Sequence, residues 1–504
     1  MKKLLCLVLV LVTALSVLSG CGGNSRSNDE KSEISISVFD RGLISSEEGD
    51  YSNNRWTKWM EEQSGVKVNW VPIPMLETNS KLNMLFASGE APDLIVSYDI
   101  SQLMSFVRQG TLQPIDEFVD KYSTSYKNYL EENSELKNFL TYDDGKMYLA
   151  TSKRSIDSIM NHGAWIRQDW LDELGLEIPK TIEDLKTVAR AFKEAKLGGE
   201  ETTPIALLNG HEIFPSLYQA SCMWYNEDGQ AKYGPTLDRF GSSIQIMKDL
   251  YDENLMDREF VTDTDGSRQK QLWATGKAGI FFNQWSESSN KELMQNNPNA
   301  KPVTLPPLET EYGINAYLQE SLPHRYIAFN KNLKNPEAAM KFIDWMLDDG
   351  YYNIKFGNEG EHYKLVDGVP QTIDAEKYDK EVSYALDYAI VSKWELKPEW
   401  IPIMAAQDEQ SQILAKQRMD ALSTNMKYTY RRDYPYVPQT DEMTRLMSSF
   451  GTKLDEIKTK AIIGGPSKSV DWAMSEIRKE WKNLGGEEVE KSMTEWGNKI
   501  DKGE

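Results

Sequence analysis

Ile34-Ser35-Ile36-Ser37-Val38 alternates apolar and polar residues with the period of a β-strand, and two similar runs follow it. Val66, Val68 and Trp70 alternate in the same way, and Leu94-Ile95-Val96 reads as a short buried strand. Between them lie two helical patterns. Arg55 to Ser64 places Trp56, Trp59 and Met60 on one face and stops at Gly65; Leu76 to Ser88 carries Leu82, Leu85 and Phe86 before Gly89. The resulting βαβαβ order predicts a parallel sheet with right-handed crossovers. Its strand ends bring Phe39-Asp40-Arg41 and Ser97-Tyr98-Asp99 to one edge, where open α/β sheets bind ligands. Asp40 and Asp99 are therefore candidate acceptors for ligand hydroxyls, with Arg41 beside them. Either aspartate alone is more often a turn residue or a helix cap.

Further along, Trp273 to Ser286 (WATGKAGIFFNQWS) reads as a helix end, a stop at Gly276 and a buried strand over Ala278 to Phe282. The strand runs into Asn283-Gln284-Trp285-Ser286. Trp285 offers a flat apolar face and one N–H donor, which suits the C–H face of a sugar ring; a core tryptophan capping the strand is the alternative. Gly276-Lys277 is not a phosphate-binding loop, because the earlier glycine and the following Ser or Thr are missing.

A chain of 504 residues exceeds one core and suits two or three domains. Lys plus Arg number 57 against 78 Asp plus Glu, and a net charge of −21 makes nucleic acid a poor partner. Met1-Lys2-Lys3 followed by the apolar run Leu4 to Val17 reads as a signal peptide, too short for a good transmembrane span. Leu18-Ser19-Gly20-Cys21 looks like the lipobox of bacterial lipoproteins, which implies a signal over residues 1–21 and a lipidated Cys21. Two or more acyl chains give stable anchoring. Residues 22–33 have the composition of a flexible tether. Cys6 leaves with the signal, so Cys222 is the single remaining thiol and no internal disulfide is expected.

Ala87-Ser88-Gly89-Glu90-Ala91-Pro92-Asp93-Leu94-Ile95, then Gly110-Thr111-Leu112-Gln113-Pro114-Ile115-Asp116, resembles the first lobe of family 1 extracellular solute-binding proteins. The likeness continues through Trp165 to Leu176, Asn335-Pro336-Glu337-Ala338-Ala339 and Gly357 to Tyr363. Within that family the chain resembles the long lipoprotein subgroup of Gram-positive bacteria, related in fold to maltodextrin- and alginate-oligosaccharide-binding proteins. The resemblance implies an α/β, two-lobed fold of the type II periplasmic-binding-protein kind, each lobe a mainly parallel sheet flanked by helices, with a helical C-terminal extension. It also implies the substrate receptor of a carbohydrate ABC importer, held by lipid on the outer face of the cytoplasmic membrane and working with permease subunits.

On this reading residues 34–152 and 323–366 form the first lobe, and 153–322 with 367–504 the second. Gly145 to Leu149 is the last strand before the crossing, and Tyr326 to Asn330 the returning one. Thr181 with Asp184 makes a capping-box-like helix start, and Asn335 with Pro336 begins another. Where many relatives carry a calcium loop, Ala195 to Thr202 lacks alternating oxygen ligands, and the four histidines show no metal spacing, so neither metal nor cofactor is expected. Trp224 is either a cleft residue or core; Glu361 and His362 lie near the second crossing, with a hinge hydrogen bond favoured for His362; relatives often present an aromatic residue at the place of Trp400. The tail from Met443 to Lys499 reads as helical lobe packing.

The function that follows is capture of an oligosaccharide by closure of two lobes, in a monomer without chemistry of its own. A receptor for peptides or other polar solutes would share the fold. A surface glycosidase or lyase would need paired carboxylates, and no nucleophile elbow, HExxH or Cys/His signature supports it. The acidic surface disfavours long polyanions unless local arginines compensate, with Arg41, Arg167 and Arg325 as candidates.

Overall fold

The computed structural model describes residues 32–500 except 143, 209–211, 285, 286 and 439. The signal with Cys21, the tether through residue 31, and Trp285 lie outside the described residues. The strands in chain order are β1 (Ser32–Asp40), β2 (Val66–Pro74), β3 (Leu94–Ser97), β4 (Leu149–Ala150), β5 (His162–Arg167) and β6 (Thr203–Leu207). They continue as the hairpin β7 (Trp224–Glu227) and β8 (Gln230–Tyr233), then β9 (Ala278–Gln284), β10 (Pro302–Thr304), the hairpin β11 (Glu309–Thr310) and β12 (Gly313–Ile314), and β13 (Tyr326–Phe329).

The first sheet has the order β2-β1-β3-β13-β4. β1 pairs in parallel with β2 over nine residues and with β3, as the alternation predicts. Ser32 and Glu33 already pair with Val66 and Lys67, so the strand starts inside the stretch read as tether. The last strand before the crossing is shorter and later than expected: Leu149 and Ala150 alone, against β13. β13 runs antiparallel to β3 because the chain enters it from the other lobe. The second sheet, β10-β5-β9-β6, has one parallel pair, β6 with β9, and two antiparallel pairs. Both sheets are therefore mixed rather than mainly parallel.

Helix boundaries follow local chemistry. The Asn54 side chain accepts from the backbone N–H groups of Trp56 and Thr57, the Thr57 hydroxyl closes the box, and Gly65 ends that helix at φ 65°. Thr181 and Asp184 make the expected capping box, and Asn335 caps Pro336–Trp345 by accepting from the Ala338 N–H. In β9, Gly279 leaves the space of a side chain to two rings: a Cβ there would lie 2.4 Å from Phe192 and 2.7 Å from Trp170.

Two large cores result. The first joins β1–β4 to β13, to the helix Pro336–Trp345 and to Val382, Tyr384, Ala385 and Tyr388 through Val391. That last segment packs with the first lobe, although the sequence reading assigns everything after 366 to the second. The second core joins residues 164–317 to the tail helices Asp441–Ile463, Val470–Asn483 and Gly486–Ile500. Trp481 stacks on Tyr233 with ring centres 5.0 Å apart and lies 4.8 Å from Phe450, so the tail is part of this core. Two smaller clusters complete the packing: one around Trp165, Trp273 and Phe281 within the second lobe, and one around Leu396, Ile401, Ala415 and Leu422 that packs against Ile156 and Met160 beside the crossing. Among the described residues no helix is long and apolar enough to cross a membrane.

Candidate functional site

The chain passes between the lobes at residues 152–155 and 320–325, where Lys153 bridges to Pro323 and the Arg154 N–H donates to the Leu322 carbonyl, and a third time between Val391 of the first core and Met443 of the second. The ends of β1 and β3 open onto this crossing, as does the start of β13, since Tyr326 pairs with Ser97. From the second lobe, the start of β5 and the end of β9 meet as His162 opposite Gln284. His162 Nε2 lies 2.8 Å from Glu320 Oε1 on the crossing. These strand ends form the floor of a cleft between the lobes.

The floor is rich in cations. Arg41 Nε donates to Asp387 at 2.7 Å, and Tyr51 donates to the other oxygen at 2.9 Å. Arg325, almost fully buried, donates to the Tyr98 hydroxyl at 2.9 Å and to the carbonyls of Asp387 and Ala389. Arg154 lies 3.7 Å from Glu320 and donates to the Pro323 carbonyl. Asp157 pairs with Arg418. Burial would raise the Tyr98 phenol, but the charges of Arg325 and Arg41 outweigh it and hold it below its ordinary value. Burial, then the charges of Arg325, Arg154, Lys355 and Arg41, hold His324 well below the usual histidine range, so its ring stays neutral. The His162 hydrogen bond, acting against burial and helped by Arg154, keeps Glu320 ionised.

Above the floor a cavity of about 450 Å³ lies between the lobes. The first lobe contributes Phe139 and Tyr142, and the second contributes Trp224, Tyr434, Tyr436 and Trp496. The Phe139 and Tyr436 rings meet across the lobes at 5.6 Å, and Tyr436 stands edge-on to Trp496 at 5.1 Å. Arg108 of the first lobe pairs with Asp441 of the second. Arg432 lines the cavity and contributes to the field on Glu320, which ties chamber and floor together. Thr444 Oγ1, in the cavity wall, is buried without a hydrogen-bond partner among the described residues. Asn283 Nδ2, at the end of β9, is likewise buried and without a partner among them.

The residues singled out on the sequence divide sharply. Arg41 belongs to the floor. Asp40 accepts from the Gly42 N–H at 2.9 Å, a turn contact. Asp99 caps the helix Ile100–Arg108 by accepting from the Gln102 N–H, and its second oxygen accepts from Asn79. The turn and cap readings thus account for both aspartates. Trp224 is 4% exposed and lies against Tyr233 and Trp481, so it is a core ring whose edge forms cavity wall. Trp400 is half-buried, 5.7 Å from Trp394, under the Lys397 ammonium and in the small cluster beside the crossing. β9, the strand leading to Trp285, ends at the cleft floor.

Glu361 and His362 do not reach the cleft. His362 is 1% exposed; its Nδ1 accepts from the Asn358 N–H at 3.0 Å, which leaves Nε2 to donate to Glu381 at 3.1 Å. Arg55 pairs with Glu48 and Glu381, and Lys377 with Glu361. Glu361, His362 and Glu381 are close enough to suggest a cation site, but Arg55 and Lys377 already supply the positive charge and His362 Nε2 is a donor. The loop from Ala195 to Thr202 is a turn closed by Lys196 with Glu200 and by Thr202 with Gly198 and Gly199. Arg167 pairs with Asp169 at the end of β5 opposite His162, away from the floor.

Sequence reasoning missed Phe139, Tyr142, Tyr434, Tyr436 and Trp496 in the chamber, and Arg154, His324 and Lys355 at the floor. One local signal was available: Tyr434-Pro435-Tyr436-Val437-Pro438 is a proline-stiffened aromatic loop with no helical or strand period.

The comparisons with known proteins agree with this architecture. A fructooligosaccharide ABC transporter substrate-binding protein of Streptococcus pneumoniae, FusA, is 30% identical over 251 residues, 46% of each chain, so the match spans about half of that relative. The polygalacturonan/rhamnogalacturonan-binding protein YtcQ of Bacillus subtilis is 27% identical over 381 residues, 71% of this chain and 73% of its own. The solved structure of S. pneumoniae FusA with fructo-nystose superposes with a TM-score of 0.74 at 18% identity, covering 94% of this chain and all of that one. At that identity the likeness establishes the fold, a two-lobed type II solute-binding architecture. Residues 45–353, more than half of the sequence, match the family profile described as bacterial extracellular solute-binding protein, and the chain belongs to that family.

Proposed function

We propose that this protein is the receptor of an ABC importer, capturing an oligosaccharide between its lobes and passing it to membrane permease subunits. The observation that carries the reading is the aromatic chamber: eight aromatic side chains from both lobes, Tyr233 and Tyr326 included, line a cavity whose described lining includes no carboxylate. Flat rings suit the C–H faces of sugars, and buried, unpartnered atoms such as Thr444 Oγ1 and Asn283 Nδ2 suit hydroxyls. FusA and YtcQ, by their names, bind fructooligosaccharides and polygalacturonan or rhamnogalacturonan. The lobes are proposed to move about the crossings at 152–155 and 320–325, so that binding selects the closed state. Trp285 remains a proposed stacking platform.

No catalytic step is assigned. A glycosidase needs a protonated carboxyl set against an ionised one; Asp157 and Glu320 are held ionised by their cations, and Glu212, which burial raises, accepts from the Cys222 N–H and thiol. The exposed Cys222 donates its thiol proton to Glu212 at 3.3 Å. Lipid anchoring through Cys21 completes the proposal, and a monomer suffices for it.

Melting of the full chain across a panel of oligosaccharides and peptides tests the reading, since a ligand of the native state raises stability. Sugars are expected to raise the melting temperature. A shift with peptides alone overturns the sugar assignment, and release of shorter sugars during incubation overturns the absence of catalysis. Cys21→Ser is expected to leave membranes without unfolding; a processed mutant still pelleting with membranes removes the anchor.

A further inference from the structure

Resting on the reading of the chamber as a sugar site, we infer that the last helix of the tail sets how long a sugar chain the chamber accepts, with Gly497 as the positioning residue. Gly497 acts through the loop Tyr434-Pro435-Tyr436-Val437-Pro438, all five residues of which line the cavity. Two prolines fix φ within that loop and reduce its freedom to bend. On one side, Phe139 of the first lobe meets Tyr436 with ring centres 5.6 Å apart. On the other, Trp496 stands 5.1 Å from Tyr436 and 6.1 Å from Tyr434. The loop is thus a wall held between the first lobe and the helix Gly486–Ile500.

The residue after Trp496 makes the closest approach. Gly497 is buried, and a Cβ placed on it would lie 2.6 Å from Tyr434 Cε1 and 3.2 Å from the Tyr434 hydroxyl oxygen. Glycine inside a helix is weaker than alanine, so this one runs against local preference, and close packing of Tyr434 is what it permits. Gly451, inside the helix Asp441–Ile463, is the contrast: nothing lies within 4 Å of where its Cβ would be. The last helix is firmly backed. The Thr494 hydroxyl accepts from the Ala231 N–H at 2.9 Å, and Glu490 pairs with Lys232 at 2.7 Å and accepts from the Trp481 Nε1–H at 3.1 Å. Val489 and Met493 are buried in the second core. The loop is pinned just before Tyr434, where Asp433 accepts from the Asn226 N–H at 2.7 Å and pairs with Arg431 at 2.6 Å. Carbon atoms in contact sit about 3.5–4.0 Å apart, so a methyl group at 497 displaces the Tyr434 ring by about 1 Å, away from the helix and into the cavity. A closely packed wall does not absorb such a shift. A chain that fills the chamber meets the displaced wall along its length, whereas a short one sits clear of it.

Size ladders of oligosaccharides from inulin, starch and pectin test this on the full chain. Calorimetry gives the affinity of each rung for the wild type and for Gly497→Ala. The variant is expected to lose about tenfold in affinity for the longest rung that the wild type binds, the scale of one overpacked contact, and to hold the shortest bound rung near normal. A merely structural role for Gly497 would lower the folded fraction and shift every rung alike. An equal loss on all rungs, or no loss, therefore overturns the inference and leaves the sugar receptor standing. Tyr434→Leu reaches the same contact from the loop side and serves even where Gly497→Ala does not fold. It should move the preference toward longer rungs, and an unchanged preference likewise overturns the inference. Failure of the wild type to bind any rung overturns the sugar reading, and the inference with it.

Discussion

Two of the histidines of this protein sit among charges, and the two settings are opposites. His362 is enclosed by Glu361, Glu381, Asn358 and Trp56, with Arg55 and Lys377 completing a network in which donors meet acceptors. His324 sits among Arg325, Arg154, Lys355 and Arg41, whose fields together with burial outweigh those of the carboxylates they share, Asp387 and Glu320. A balanced buried network stabilises a fold and leaves nothing for a ligand to satisfy. An unbalanced one is a poor use of stability and therefore points to a partner from outside. The sequence reading favours a hinge hydrogen bond for His362, and the buried hydrogen bonds found there fit a structural role; the charge balance turns attention to the neighbourhood of His324.

The comparison can be broken most readily at His362. His362→Ala is expected to cost about 2–4 kcal/mol of stability, since it opens a cavity, leaves the Asn358 N–H without its acceptor and strips Glu381 of one of its donors. Affinity of the surviving folded protein should stay near normal. A variant that melts normally but fails to bind would return His362 to the site.

Removal of a chamber ring should do the reverse. Tyr436→Ala or Trp496→Ala is expected to lose about 2 kcal/mol of ligand binding, roughly thirty-fold in affinity. The melting temperature should fall much less, because both side chains are only partly buried. Loss of stability with unchanged affinity would reassign these rings to lobe packing.

Acid titration separates the two histidines by sign. The folded state holds His324 well below its ordinary value of 6.5, so the unfolded chain takes up a proton that the native state resists. Its contribution to stability is complete above 6.5 and is lost as pH falls from there toward the folded value. Glu381, where the His362 and Arg55 contacts outweigh burial, is held below 4.5; its contribution is present above that value and lost as pH falls through the lower folded value. Urea melts of the wild type and His324→Gln between about pH 7 and 5 should therefore show a flatter pH slope in the variant. Equal slopes would mean that the cations do not act on His324 as described.

The smallest effect is expected at the contact between the lobes. Arg108 pairs with an Asp441 side chain that is 57% exposed, and such pairs contribute about 0–1 kcal/mol. Arg108→Gln should change ligand affinity less than about five-fold by the same figure. A larger loss would show that lobe closure depends on this pair rather than on the rings beside it.

Much of the scaffold was legible because its signals are local. The alternation in Ile34–Val38 and Val66–Trp70, the Gly65 stop, and the caps at Thr181 and Asn335 each depend on residues within one turn or strand, and each forms as read. The site was less legible for the converse reason. Asp40 and Asp99 reach the right sheet edge, but whether an aspartate at a strand end serves a turn, a cap or a ligand depends on what its oxygens meet. The cations of the floor come from the residue after β1, the crossings at Arg154 and Arg325 and three later segments, and no spacing in the chain announces their meeting.

By itself, then, the sequence pattern determined the elements of the first sheet and the edge at which a ligand would lie, while the two-lobed class came from the family resemblance. It did so because periodicity and capping act over a few residues and survive without tertiary context. Only the tertiary structure decided that 382–391 returns to the first core, that the tail helices build the second, and that Phe139 meets Tyr436 across the lobes. It likewise decided which charges are balanced: His362 meets its acids and His324 its bases because long-range packing, not order along the chain, chooses each group's neighbours and hence its energy.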